Sequence, residues 1–565
     1  MPRPIAHRQY TGRLELTWTN KNLRLLAEDD GSYQWVGPSD YRVAEVRLLR
    51  DVAKVGETQP DRLRARDNLL IHGDALNGLT SLLELPEFSD SYANQVKLAY
   101  LDPPFNTQQS FLQYDDALEH SVWLTMMRDR LVQVKQLLRS DGSVWVHCDD
   151  SEQAYLKVMM DEVMGRDNFI AAILWVRRND PRNTARQIST DHDYLVVYAK
   201  DLEQCQFNQL PRTQAMRSAY TNPDNDVRGP WRRGDLAARN YYSLGLYSIT
   251  TPSGRIISGP PSGSYWRVSE SKLSELNADG RIYWGPDGGS RPYLKRFLTE
   301  VAGGRVPGTV WAPEDVGFVR NGKEEVRRLL DGKEPFATPK PEKLLYQILH
   351  IASNPGDIVL DCFLGSGTTA AVAHKMQRRW VGVERSEETV YKFIFPRLTK
   401  VLAGSDAGGV TLQVGWGGGG GFRVLEVAPS MFSEDGGQVF LSEWATNGKL
   451  AEATAAQLHY EHLHDPPLCG KRGRSRLAVI DGLVNEDAVR LLAGAISDNE
   501  QLVVCGTAVD PVARDVLRKL RPGSTVRKIP QSILQEYRQA NPRTRPEPAD
   551  STPDDTSGVD APGPA

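Results

Sequence analysis

Asp357-Ile-Val-Leu-Asp361-Cys-Phe-Leu-Gly365-Ser-Gly-Thr-Thr-Ala370 reads as a short apolar run, a sharp glycine turn and the opening of a helix that continues from Ala371 to Gln377. Glycines at 365 and 367 let the backbone turn tightly and let a ligand approach with no Cβ in the way. The helix that follows offers unpaired N–H groups and partial positive charge to an anion. A second apolar run, Trp380-Val-Gly-Val-Glu384, then ends on a carboxylate placed to accept hydrogen bonds from ribose hydroxyls. Strand, turn, helix and strand in this order predict an α/β sheet with a ligand site at its strand ends.

The same grammar extends upstream. Leu69-Leu70-Ile71 predicts a strand ending at Gly73-Asp74, with a helix from Ala75 to Leu85. Val96-Lys-Leu-Ala-Tyr-Leu101 predicts a buried strand that stops at Asp102-Pro103-Pro104. From His120 to Arg139, residues Leu124, Met127, Leu131, Val134 and Leu138 fall on one helical face. A turn at Asp141-Gly142, a strand at 143–147, a helix at 151–164 and a strand at 169–176 complete a doubly wound pattern. It breaks between 177 and 335, where Gly, Pro, Arg and aromatics replace the alternation, and resumes with a helix at 341–351. Over 175–330 there are 23 Lys/Arg against 17 Asp/Glu, in a chain whose overall charge is −4. The domain reading is therefore a polar N-terminal region at 1–65, with strand-like alternation at 14–19 and a turn at 38–40. Two halves of one sheet domain follow at 66–176 and 336–403, around an insert at 177–335. A flexible or tightly turning glycine-rich linker covers 404–421, a small α/β module 422–535 and a disordered tail 536–565.

With 565 residues, 40% hydrophobic and 25% charged, the chain is long enough for several packed domains. No apolar run reaches the roughly 20 residues of a bilayer span, and the N-terminus lacks a secretory apolar stretch. Five scattered cysteines without a CxxC pair argue against a disulfide framework or zinc knuckle and for a reducing, cytoplasmic setting. Asp191-His-Asp193 invites a metal reading, but with no further ligands nearby a helix or strand boundary is expected and no metal.

Taken alone, Gly365-x-Gly-x-x-Ala370 leaves three readings open: an S-adenosylmethionine site, a dinucleotide site, or a structural turn. Asp361, four residues before the first glycine, suits a ligand carrying an amino group. The absent third glycine weakens the dinucleotide reading. Tyr100-Leu-Asp102-Pro103-Pro104-Phe105-Asn106-Thr107 tips the balance. A carboxylate and a proline-aimed carbonyl at a strand end supply two acceptors for the hydrogens of an exocyclic amine. Such a nitrogen is a poor nucleophile until its lone pair is drawn out of the ring and aimed. Phe105 offers a flat face for a base rotated out of a duplex. Asp-Pro-Pro by itself is an ordinary turn, and His464-Asp465-Pro466-Pro467-Leu468 is a control: it lacks both the apolar strand and the aromatic, and a loop is expected there.

With both stretches in hand, the sequence resembles the DNA amino-methyltransferases of the β order, in which DPP[YFW] precedes FxGxGT. It is similar in particular to site-specific adenine methylases and the modification subunits of type III restriction systems. Gly73-Asp74, the run 141–152 (DGSVWVHCDDSE), Arg228-Gly-Pro-Trp231 and Thr338-Pro-Lys-Pro-Glu342 match as well, so the resemblance covers 66 to 400. It implies a Rossmann-like S-adenosylmethionine-dependent methyltransferase fold with an inserted target-recognition module and a small C-terminal α/β module. The implied activity is methyl transfer to adenine N6 in double-stranded DNA.

By resemblance Asp102, Pro103, Pro104 and Phe105 are catalytic, while Asp361, Phe363, Gly365, Ser366, Gly367, Thr368, Thr369 and Glu384 hold S-adenosylmethionine. Thr338 and Lys340 close over its methionine end. Arg177, Arg178, Arg228, Arg232 and Arg233 are expected on DNA, chiefly on phosphates. Trp231, Trp266, Trp284 and Trp311 are expected to fill the insert's own core. A restriction or translocation subunit and a second copy of the chain are the candidate protein partners. Phe105 stands where Tyr is commoner, which keeps the stacking face and loses a hydroxyl. The competing functions are cytosine-N4 methylation, a non-catalytic DNA-binding subunit of a defence complex, and an NAD-dependent oxidoreductase, which leaves Asp102-Pro-Pro-Phe unexplained.

Overall fold

The computed structural model describes residues 15–27, 32–106, 109–110, 115–116, 119–178, 187–300, 303–330, 336–446 and 448–540. Two compact units make up the chain: Met1–Phe207 with Gly308–Ala565, and Asn208–Pro307.

The first unit is built on a ten-stranded mixed sheet. In chain order its strands are β1 (Leu49–Gly56), β2 (Asn68–His72), β3 (Val96–Leu101), β4 (Leu138–Cys148), β5 (Phe169–Val176), β6 (His192–Ala199), β7 (Val310–Trp311), β8 (Ile358–Asp361), β9 (Arg379–Glu384) and β10 (Gly421–Val427). Across the sheet they run β7-β5-β6-β4-β3-β8-β9-β2-β10-β1. The central run from β4 to β10 is parallel. Parallel strands need cover on both faces, and β3 and β8 are accordingly buried at every position. Helices α1 (Ala75–Glu84), α2 (His120–Leu137), α3 (Gln153–Met160), α4 (Val319–Leu329), α5 (Glu342–Ala352), α6 (Thr368–Lys375) and α7 (Phe395–Leu402) connect and flank them. In α2 the expected stripe of Leu124, Met127, Leu131 and Val134 is buried in the main core.

One topological feature positions the site. From β3 the chain moves to β4 on one side, and from β8 it moves to β9 on the other, so the β3–β8 boundary is a switch point. Ligand crevices of open α/β sheets lie at such points, outside the carboxyl ends of the strands. Leu98 pairs with Val359 and Ala99 with Leu360. Asp102 and Asp361 therefore emerge at neighbouring strand ends, although about 260 positions separate them in the chain.

Several expectations change. Among the described residues, 15–18 form no strand; Leu14 lies outside them, and Leu16 and Trp18 pack on the main core. The region 1–65 supplies the edge strand β1, antiparallel to β10. Leu138, expected on α2, begins β4 instead. Asp141-Gly142, expected as a turn, lies in a bulge of that continuous strand, whose register with β3 jumps from Val96–Leu138 to Leu98–Ser143. A Cβ at Gly142 would meet the Val96 carbonyl at 2.8 Å, so only glycine lets the backbones approach there. The helix after the glycine turn begins at Thr368, inside the motif.

The compact insert unit, Asn208–Pro307, is narrower than 177–335 because β6, β7 and α4 belong to the large sheet unit. Within it, Trp231–Asp235, Tyr293–Phe297 and Ile282–Tyr283 form a three-stranded sheet. Trp231 and Trp266 are buried in its cores, with Trp284 packed against the cluster that holds Trp266. Trp311 is not an insert residue at all; it lies in β7 against Trp145.

The glycine-rich linker turns tightly: Gly419 N–H donates to the Leu402 carbonyl (2.8 Å), and Trp416 Nε1–H to that of Val401 (2.8 Å). Residues 421–427 then join the large sheet as β10, so the C-terminal module starts later than 422. Its five strands, β11 (Glu461–Asp465), β12 (Leu468–Arg472), β13 (Ser475–Val484), β14 (Gln501–Val509) and β15 (Thr525–Lys528), pair in chain order. Its core merges with that of the ten-stranded sheet through Leu450, Leu477, Cys505 and Ile533. His464-Asp465-Pro466-Pro467-Leu468, expected as a loop, is instead a tight hairpin: Asp465 closes β11, Leu468 opens β12 and pairs with it, and only the two prolines turn between them. Helix Gln531–Ala540 occupies the beginning of the expected tail, and 541–565 lie outside the described residues. Among the described residues no helix is long and apolar enough to cross a membrane, and no cluster of three metal-ligating side chains occurs.

Candidate active site

Asp361, 2% exposed, closes β8 and turns its carboxylate back on the glycine turn, where Oδ1 accepts from Phe363 N–H (3.0 Å) and the Thr369 hydroxyl donates as well. Burial pushes its carboxyl up to about 7, and the nearby charges of Asp102 and Glu384 add to the rise. Glu384 ends β9 and braces the same turn, with Oε2 accepting from Gly365 N–H (2.8 Å) and Oε1 from Ser386 N–H (2.9 Å). Its carboxyl too is raised by burial. Gly365 and Gly367 have φ of 51° and 76°, the left-handed region that glycine adopts without strain. At Gly367 an added Cβ would lie 3.2 Å from Ile394 Cγ2, so this glycine makes room for the protein's own helix rather than directly for a ligand.

Ser366 and Thr368 face inward. Their hydroxyls lie 3.0 Å apart, and Arg397 donates to Thr368 Oγ1 (2.8 Å) and to the Ser366 carbonyl (3.2 Å). Arg397 also pairs with Glu342 (2.9 Å), which Lys375 holds (2.8 Å) together with Asp406 (2.6 Å). This buried charge network ties the 338–342 segment to the glycine turn. The sequence reading missed Lys375, Arg397 and Asp406, which sit in no motif.

The Asp102 segment leaves the neighbouring strand and is braced at Pro104, Phe105 and Asn106. Trp123 Nε1–H donates to the Pro104 carbonyl (2.7 Å). Phe105 stacks on His147, with ring centroids 5.4 Å apart and planes at 30°. Asn106 takes a left-handed φ of 59° and donates to Glu152 Oε1 (2.7 Å), which also lies 2.9 Å from His120 Nδ1. Thr107 lies outside the described residues.

His147 is buried, with Nδ1 3.0 Å from the Tyr100 hydroxyl and Nε2 3.4 Å from Asp193, and burial lowers its pKa. A neutral imidazole that accepts from the Tyr100 hydroxyl at Nδ1 and carries its own hydrogen on Nε2, facing Asp193 at 3.4 Å, fits this geometry. The sequence carried a signal for this support: His147 and Glu152 sit in the quoted 141–152 run, and Asp193 in the Asp191-His-Asp193 motif. That motif does mark the start of a strand.

Three expected roles look different in place. Lys340, expected on a donor, directs its ammonium at Asp102, donating to Oδ1 (2.7 Å) and Oδ2 (2.6 Å); Thr338 nearby is half-buried. Arg177 is ion-paired to Asp193 (3.1 Å) and so belongs to the support beneath Phe105, with Arg178 half-buried beside it. Within the insert, Arg228 is held by Asp226 (2.9 Å) and lies over Phe297 (4.5 Å), an internal brace. Arg232 and Arg233 are exposed on the strand Trp231–Asp235. Phe363 packs half-buried against the main core.

Strand-end carboxylates on both sides of a switch point, a glycine turn at a helix N-terminus and an aromatic on a buried imidazole suit amine chemistry beside a cationic ligand. The family described as DNA methylase matches residues 96–395. The StyLTI Mod subunit, a type III restriction-modification enzyme of Salmonella typhimurium, is 30% identical over 54% of this chain and 49% of its own length. The HindVI Mod subunit of Haemophilus influenzae, a probable enzyme of the same type, is 30% identical over 66% and 56%. The type II methyltransferase M.EcaI of Enterobacter cloacae is 29% identical over 52% and 62%. The chain thus spans about half to three fifths of the length of these relatives. The match over residues 96–395 runs from the strand that carries Asp102, through the insert and the glycine turn, and on past Glu384; the chain belongs to the DNA methylase family.

Proposed function

We propose that this protein transfers a methyl group from S-adenosylmethionine to the N6 amine of an adenine extruded from double-stranded DNA, as the modification component of a restriction-modification system. The observation that carries the reading is the placement of Asp102 and Asp361 at adjacent strand ends across a switch point. The residues fit the donor. Two carboxylates, the buried Asp361 and the partly exposed Glu384, flank the glycine turn with pKa values raised by desolvation, a cost that a positively charged or hydroxyl-bearing ligand would offset. When bound there, the donor supplies an electrophilic methyl with a neutral thioether as leaving group.

The chain's own residues do the rest. Asp102 and the Pro103 carbonyl accept the two amine hydrogens, drawing the nitrogen lone pair out of the ring and aiming it. Phe105, fixed by His147, holds the base face. With both hydrogens held, the lone pair is aimed toward the glycine turn, where the methyl donor would sit, and Asp102 would accept the proton that the methylated nitrogen carries in excess. No covalent enzyme intermediate is needed. Asp102, rather than a serine, favours adenine over cytosine, and the intact Asp102-Pro-Pro-Phe segment argues against a purely DNA-binding role. Arg232 and Arg233 are proposed phosphate contacts, and a restriction subunit is the proposed partner.

The test is transfer of tritiated methyl to unmethylated genomic DNA, followed by nuclease digestion and mass spectrometry. N6-methyladenine is expected. N4-methylcytosine would replace the adenine assignment, and no transfer would overturn the reading.

A further inference from the structure

The segment that carries Lys340 is unusually constrained. Prolines 339 and 341 fix the backbone on either side. At Gly322 of α4 an added Cβ would lie 2.3 Å from the Pro339 carbonyl oxygen and 2.9 Å from the Lys340 carbonyl carbon, so the helix backbone rests directly on this segment. Pro341 precedes α5, whose first residue Glu342 is locked in the Arg397–Lys375 network. A lysine stem rooted this firmly is a device for placing an ammonium.

That ammonium donates to both oxygens of Asp102 at 2.7 and 2.6 Å and lies 4.9 Å from the centroid of Phe105, on side chains only 10% and 21% exposed for Lys340 and Asp102. A nitrogen bearing hydrogens, held by the Asp102 carboxylate and beside the Phe105 ring, occupies the cradle that the proposed reaction reserves for the target amine. The carboxylate cannot present two free oxygens while Lys340 holds both. A lysine that only bound the donor would have no reason to saturate the group that orients the acceptor.

Resting on the function proposed above, we infer that Lys340 is a positioning residue acting through Asp102. It fills the amine cradle while no base is extruded. When a base arrives it yields one carboxylate oxygen and keeps the other, which holds the freed oxygen toward the amine.

The experiment uses the full chain and its Lys340→Met and Lys340→Arg variants, on a duplex containing the methylation site mapped for the wild type with 2-aminopurine as the target base. Donor affinity is read by calorimetry with S-adenosylmethionine, base extrusion by fluorescence, and chemistry by single-turnover transfer to the adenine duplex. For Lys340→Met the donor affinity should stay within about twofold, the extruded fraction should rise, and single-turnover transfer should fall about 100-fold, the usual cost of a misaimed reacting pair. Lys340→Arg should recover at least about tenfold of that loss, because it restores a cation on the carboxylate. Weaker base extrusion with Lys340→Met, or wild-type transfer, would overturn the inference. So would a donor affinity reduced about tenfold with an unchanged rate at saturating donor, which would make Lys340 a donor-binding group. If the wild type itself methylates no DNA, the functional reading has failed rather than the Lys340 assignment.

Discussion

Replacing Asp361 by asparagine tests the donor side of the site through proton linkage. The Asp361 carboxyl is carried from 3.8 to about 7 by burial, with Asp102 and Glu384 contributing. A rise of about 3 pH units corresponds to about 4 kcal/mol against the ionised form in the empty site. The sign follows from which state holds the proton. Between pH 3.8 and about 7 the folded chain keeps a proton that the unfolded chain has lost, so stability falls as pH rises through that window and levels off above it. An ammonium bound at Asp361 reverses the preference, because the ionised form gains a partner. Below about pH 7 the donor must therefore expel a proton to bind, and its association constant should rise by up to about tenfold per pH unit. Calorimetric titration with S-adenosylmethionine at about pH 5.5, 6.0 and 7.0, in two buffers of different ionisation enthalpy, measures both the affinity and the protons released. The account expects close to one proton released at the lowest pH. In Asp361→Asn it expects weaker binding with the Asp361-linked proton release lost and any remaining pH dependence left to Glu384. Equal wild-type affinity from 5.5 to 7.0 without proton release would refute the reasoning.

Other perturbations address separate parts of the account. Asp102→Ala should abolish methyl transfer while retaining donor and DNA binding, at a stability cost of about 1–3 kcal/mol from stranding the Lys340 ammonium; near-normal transfer would remove Asp102 from the mechanism. Gly367→Val should strain the turn by about 1–3 kcal/mol through its positive φ and the Ile394 contact, and calorimetry should show weakened donor binding. Trp231→Ala should cost about 3–5 kcal/mol, loosening 208–307 by hydrogen exchange while donor affinity holds. Arg232→Ala should lower the magnitude of the salt slope of DNA binding by about one.

The central sheet was legible because its strands are buried on both faces, so their apolar runs stand out between helices with a clean stripe. The two strand ends of the proposed site were legible for a related reason: Asp102 and Asp361 break those runs abruptly. Less readable were elements whose signal is borne by a partner. The strand at 49–56 alternates weakly because it lies at an edge, and Val310–Trp311 is too short for any period to show. Asp141-Gly142 has the composition of a turn, yet a neighbouring backbone can absorb it as a bulge.

At the site, motif order located the residues but not their directions. Lys340 and Arg177 carry charge that suits a donor or a phosphate. Only the fold shows that Asp102 and Asp193 claim them first. The imidazole beneath Phe105 depends on three strands meeting, which no local spacing reveals.

The central claim concerns where two reactants meet, so a crystal structure of the chain with a methyl-donor analogue and a duplex containing its mapped site tests it most directly. The account predicts an extruded adenine stacked on Phe105, its amine on the carboxylate of Asp102 and about 3–3.5 Å from the position of the transferable group. The amino group of the donor analogue should rest on Asp361. An adenine left in the helix or seated away from Asp102, or an analogue bound elsewhere than at the turn of Gly365 and Gly367, would contradict it.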